Sequence, residues 1–82
     1  MYSIEIEDDA KKFLKKISNQ DSEIILRKIY SIKENPFRFL KRLKGGKLWR
    51  LRVLKYRAII DVIVTGKRIT VLRIDYRKNV YR

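Results

Sequence analysis

The sequence predicts an α+β fold of order β-α-α-β-β-β, a mainly antiparallel four-stranded sheet with two helices packed on one face. Three observations carry that expectation. Residues 2–7 alternate polar and apolar side chains, the period of a strand. Two runs of apolar residues at helical spacing follow before Pro36. Beyond Pro36, three strand-like runs come in close succession, an order that places helices against an antiparallel sheet.

Each element has a local cause. After the first strand, Asp8 and Asp9 offer a carboxylate cap to a helix. Ala10, Phe13, Leu14 and Ile17 form its apolar face, with Lys11, Lys12, Lys15 and Lys16 mostly off it. Residues 18–21 read as a short break. A second helix is expected from about Asp21 to Lys33, with Ile25, Leu26, Ile29 and Ile32 facing inward. Asn35-Pro36 stops it, because the residue before proline is pushed out of helical geometry. Residues 37–47 read as a basic, flexible connection with a turn at Gly45-Gly46. The spacing and the Lys-Ser/Thr ending of a phosphate loop are missing there. Strands are expected at 48–54, 56–64 and 68–75. Thr65-Gly66-Lys67 joins the last two as a hairpin turn, whereas the turn before Tyr56 has no Gly or Asn to mark it.

The 82 residues suffice for one domain, 1–82, with a modest core. There is no Cys and no His, which excludes disulfides, thiolate chemistry and ordinary structural zinc. Charges begin at Glu5 and no apolar run is long enough to span a bilayer, so the expected location is the cytoplasm, away from membranes. The net charge is +13, against ~2–8 for an ordinary small domain. All of it lies beyond residue 34, and no acid occurs between Glu34 and Asp61. A charge so concentrated points to a polyanion, and nucleic acid is the first choice.

Strand alternation sorts the candidates. Trp49, Leu51 and Val53 point one way, and Arg50 and Arg52 the other. A sheet covered by helices on one face leaves the other open, where Arg50, Arg52, Arg57, Arg73 and Arg77 are expected to converge. Arginine suits the task because its planar fork binds phosphate oxygens in pairs. Interleaved tyrosines offer stacking to unpaired bases. Trp49 reads as core and Tyr56 as structural. Arg73 is open between a phosphate contact and a pairing with Asp61 or Asp75. These two carboxylates are too few for a metal-dependent nuclease site.

Together these residues carry a resemblance. Arg42-Leu43-Lys44-Gly45, then Leu48-Trp49-Arg50-Leu51-Arg52, then Tyr56-Arg57, and finally Tyr76-Arg77-Lys78-Asn79-Val80-Tyr81-Arg82 resemble the RelE pattern of the RelE/ParE toxin superfamily. The similarity runs the full length of the chain. It implies a toxin of a type II toxin–antitoxin system that enters the ribosomal A site and cuts messenger RNA without a metal or cofactor. The 2′-hydroxyl attacks the adjacent phosphate and leaves a cyclic phosphate and a 5′-hydroxyl.

By the same resemblance, Arg50 and Arg52 hold the backbone and assist proton removal. Arg57 stabilises the phosphorane, Arg77 lies near the leaving oxygen, and Tyr81 orients the nucleotide. Lys41, Arg42, Lys44, Lys47, Lys55, Arg73, Tyr76 and Lys78 are expected to bind RNA. The chain departs from the family in having Arg where members often carry Lys or His, and Lys55 where the Gly-Tyr-Arg piece has Gly. Arginine hardly deprotonates, so the general base stays open between Tyr81, Tyr76 and Lys78. The resemblance also implies a small acidic antitoxin of RelB type and a toxin–antitoxin hetero-oligomer. Two other readings share the sequence features: a ParE-like inhibitor of DNA gyrase, and an RNA-binding module without catalysis.

Overall fold

The computed structural model describes residues 1–78. The alternating N-terminal segment forms strand β1 (Ser3–Ile6), followed by helices α1 (Asp8–Lys16) and α2 (Asn19–Ser31). Asp8 and Asp9 lie inside the first turn of α1, and the N-cap position is Glu7, which makes no side-chain cap bond. The two carboxylates act on the positive end of the helix dipole instead of capping it. Helix α2 starts two residues before the expected Asp21. Ser18 is its N-cap, and the Ser18 hydroxyl accepts a bond from the Asp21 amide at 3.1 Å. The helix ends at Ser31, and Pro36 opens a single 3-10 turn, Pro36–Arg38.

Four further strands follow among the described residues: β2 (Lys41–Arg42), β3 (Trp49–Val53), β4 (Tyr56–Ile63) and β5 (Arg68–Tyr76). The sheet has five strands in the order β1-β5-β4-β3-β2, one more than expected. The extra strand is β2, two residues from the supposedly flexible connection, with Lys41 opposite Arg50 and Arg42 opposite Trp49. A run this short has no alternation to read. It is set instead by the tight hairpin that follows, where Leu43 donates to the Leu48 carbonyl at 2.9 Å and Gly45 takes a φ of +75°. Strand β1 pairs in parallel with β5, and every other pairing is antiparallel.

One apolar cluster holds these elements together. Ala10 and Leu14 of α1, and Ile25 and Ile29 of α2 with Ile32 just beyond it, meet Leu51, Val53, Tyr56, Ala58, Ile60, Ile69, Val71 and Ile74 of the sheet. Phe13, Ile17 and Leu26 pack at its margin, so both predicted helix faces are the buried ones. Helix α1 lies over β5 and α2 over β3, on the same face.

The ladder between β4 and β5 is regular except at one step. Ile59 faces Arg73, but Ile60 faces Val71, which leaves Leu72 as an extra residue on β5. The bulge reverses the alternation. Ile69 and Val71 before it and Ile74 after it are all buried, while Arg73 is exposed. An unbroken strand would send Arg73 into the core with Val71.

Candidate nucleic-acid interface

Residues directly opposite in a sheet share a face, so the pairing register defines the open side. Arg52, Arg57 and Asp75 form one row across β3, β4 and β5. Lys41, Arg50, Ile59 and Arg73 form the next row, across four strands. Four of the five expected arginines therefore share the open face. Ile59 lies among them with 5% exposure and belongs to no part of the core cluster. Flanking arginine stems can cover it while their charged heads stay in water. Arg73 forms no ion pair with Asp61 or Asp75. Asp75 accepts a 2.7 Å bond from the Tyr76 amide, and the Nε of half-buried Arg57 is shut off from solvent.

Arg77 reaches the site from another direction. Its amide donates to the Lys55 carbonyl at 2.9 Å, and its Nη1 donates to the Leu54 carbonyl at 3.4 Å. Arg77, the first residue beyond β5, is thereby fixed to the tip of the β3–β4 hairpin. Lys55, Tyr76, Arg77 and Lys78 line a cleft of about 640 Å³ there. The residue at this tip that adopts a left-handed backbone is Leu54, with φ 55°, and not Lys55. Such a conformation costs about 1–2 kcal/mol for a residue with a side chain.

Tyr76 and Tyr56 sit beside the cleft in an aromatic group. Phe13 meets Tyr56 and Tyr76 edge-on at 5.7 and 5.4 Å, and the two tyrosine rings lie 5.3 Å apart. Tyr56 is buried, and its hydroxyl donates a 2.6 Å bond to Oδ2 of Asp21. That bond, with burial and the neighbouring carboxylate charge, pushes the Tyr56 hydroxyl up to about 12. A phenol held protonated in this way does not serve as a base at neutral pH.

The basic residues of the connection separate. Lys41 joins the open face, and with Lys28, Phe39, Arg50, Leu51 and Arg52 it lines a groove of about 190 Å³. Sequence reasoning missed Lys28 and Phe39, since a lysine late in a helix and an aromatic after a proline turn carry no signal of where they meet. Arg42 lies on the opposite face from Lys41. Its guanidinium stands 5.1 Å from the Trp49 ring, and its Nε donates to the Gly46 carbonyl at 3.4 Å. Lys44 is exposed on the hairpin, and Lys47 lies with Trp49 at the other end of β3. Trp49 packs against the core margin, as its alternation implies. Tyr81 lies outside the described residues. Among the described residues no group of three or more His, Cys, Asp or Glu gathers. None of the described helices is long and apolar enough to cross a membrane.

The arrangement is a sheet face carrying rows of guanidinium groups, ending at a cleft with further cations. The family model of the ParE toxin of type II toxin–antitoxin systems matches residues 4–81. This chain belongs to that toxin family, within the RelE/ParE superfamily. Among solved structures, the toxin is similar to the RelBE2 toxin–antitoxin complex of Mycobacterium tuberculosis. The TM-score is 0.82 at 19% identity, over 93% of this chain and 98% of that one. It is also similar to the isolated RelE toxin of E. coli, with TM-score 0.78 and 20% identity over 99% and 92% of the two chains. The RelB–RelE complex of Methanococcus jannaschii gives TM-score 0.72 and 25% identity over 94% of each chain. No curated protein sequence matches. The fold expected from the sequence is thus the fold of RelE toxins, with the short β2 added to the count.

Proposed function

We propose that this toxin is a metal-independent endoribonuclease that cuts messenger RNA in the ribosomal A site. The observation that carries the reading is the shared register of Arg50, Arg52, Arg57 and Arg73 on the open face, next to the cleft that holds Arg77. The 2′-hydroxyl loses its proton and attacks the neighbouring phosphorus. The bond from phosphorus to the 5′-oxygen breaks, and that oxygen takes up a proton. Arg50 and Arg52 hold the backbone, Arg57 stabilises the extra negative charge on the phosphorane, and Arg77 stands at the leaving oxygen. Tyr81 orients the nucleotide. Fixed cations around a developing anion need no titrating group. The ribosome supplies the alignment of the 2′-hydroxyl, a large part of the rate in an orientation-driven reaction.

The solved relatives include toxins bound to RelB antitoxins, and the uncompensated +13 suits an acidic partner of that kind. A second reading, inhibition of DNA gyrase, is favoured by the ParE description of the matching family. One experiment separates them. Purified toxin is added to translating ribosomes and, in parallel, to gyrase relaxing or supercoiling plasmid. New 3′ ends on the message, persisting after divalent ions are chelated from stabilised ribosomes, support the nuclease. Intact message with gyrase-linked DNA breaks establishes the second reading and removes the first.

A further inference from the structure

At the end of the sheet away from Arg77, β4 overruns its neighbour. Its pairing with β3 stops at Ile60 opposite Trp49, but β4 continues to Ile63. The overhang leaves a notch of about 420 Å³ lined by Phe37, Arg42, Lys47, Trp49, Asp61, Val62 and Val64. Three flat groups border it. The Phe37 and Trp49 rings lie 5.1 Å apart at 60°, and the Arg42 guanidinium stands over Trp49. Phe37 packs on Trp49 yet stays 42% exposed, so part of its ring is open to a ligand. Asp61 is the only acid among the described residues of the notch, and its side chain forms no hydrogen bond or ion pair with any described residue.

We infer that this notch binds one unpaired base of the RNA strand held on the open face, and that it prefers guanine. Rings and a guanidinium plane are the surfaces on which unpaired bases stack. Arg42 and Lys47 attract the flanking phosphates. The carboxylate gives the preference. An ionised Asp only accepts hydrogen bonds, and guanine alone presents two adjacent donors, its ring N–H and its amino group, on the pairing edge. Position fixes the source of the base. Arg57, Ile59 and Asp61 alternate along the open side of β4, so Asp61 lies about 14 Å beyond Arg57, at 3.4 Å per residue. A strand that crosses the two rows in the direction of β4 arrives at the notch, where β3 has ended at Trp49. The choice of RNA as ligand rests on the nuclease reading, but the test below does not involve cleavage.

Trp49 is the single tryptophan, so its fluorescence reports on the notch directly. The full chain is titrated with short 2′-O-methyl uridine oligomers, which cannot be cut, carrying a central guanosine, adenosine or uridine. The guanosine oligomer should half-saturate the quenching at a concentration about tenfold below the all-uridine one. Asp61→Asn should abolish that preference, and Phe37→Leu should weaken all three oligomers about tenfold, with thermal melting confirming that both variants fold. Equal half-saturation for the three oligomers, or a guanosine preference that survives Asp61→Asn, overturns the inference. A guanosine preference in a toxin that never cuts message would keep this site and remove only the nuclease reading.

Discussion

The hydroxyl of Tyr56, at the start of β4, donates a 2.6 Å hydrogen bond to Oδ2 of Asp21, in the first turn of α2. The bond joins a sheet residue to the helix that covers it, and its partners are 35 positions apart in the chain. It also fixes the protonation state of a tyrosine beside the Arg77 cleft. Because the folded chain holds the Tyr56 proton up to about 12, against about 10 in an unfolded chain, the bond contributes stability fully below pH 10. Between pH 10 and 12 the unfolded chain releases the proton first, so the contribution declines and is lost above about 12. Ultraviolet titration should show a tyrosine step at about pH 12 that belongs to Tyr56. Asp21→Asn should bring that step back toward the ordinary tyrosine value and remove part of the alkaline loss of stability.

The left-handed Leu54 at the β3–β4 tip is strained, and its side chain is about half exposed. Leu54→Gly should stabilise the toxin by about 1 kcal/mol, raising Tm by roughly 4–8 °C. Leu54→Val should lower Tm, because a β-branched side chain tolerates positive φ less well. A lower Tm for the glycine variant would mean that the leucine side chain outweighs the backbone strain.

Arg77 and Lys44 should fail in different ways. Arg77 is held to the hairpin tip by two hydrogen bonds, whereas Lys44 stands exposed on the β2–β3 hairpin. Removing one preorganised donor to a developing oxyanion costs about 10²–10³ in rate. Arg77→Ala should therefore bind ribosomes almost normally yet cut at a rate reduced by that factor. Lys44→Ala should cut at a near-normal rate once bound, with weaker affinity and a salt slope lower by about one unit. Single-turnover kinetics on saturating ribosomes separates the two. Normal cutting by Arg77→Ala at saturation would falsify its assignment to the leaving oxygen.

The acidic antitoxin should bind with an association rate that falls steeply as salt rises, since its steering comes from the +13 charge. Stopped-flow association at two ionic strengths measures this. A salt-independent rate would show that apolar contact, not charge, selects the partner.

The sequence by itself determined the helix faces, the order of the principal elements and the sides taken by Arg50 and Arg52. Those properties are periodic and local: side chains two apart on a strand, or three and four apart on a helix, share a face whatever lies beyond. The family resemblance was legible for the same reason, since its pieces are short runs in a fixed order. Only the tertiary structure decided the rest. Strand β2 has two residues and no period, so Lys41 and Arg42 part to opposite faces only because Arg50 and Trp49 pair with them. Arg73 reaches the open face through an extra Leu72 that no alternation announces. The fastening of Arg77 to the hairpin tip and the meeting of Phe37 with Trp49 and Asp61 each depend on segments distant in the chain. Pairing register and strand overhang are properties of two strands together, and a single strand's sequence holds only half of each.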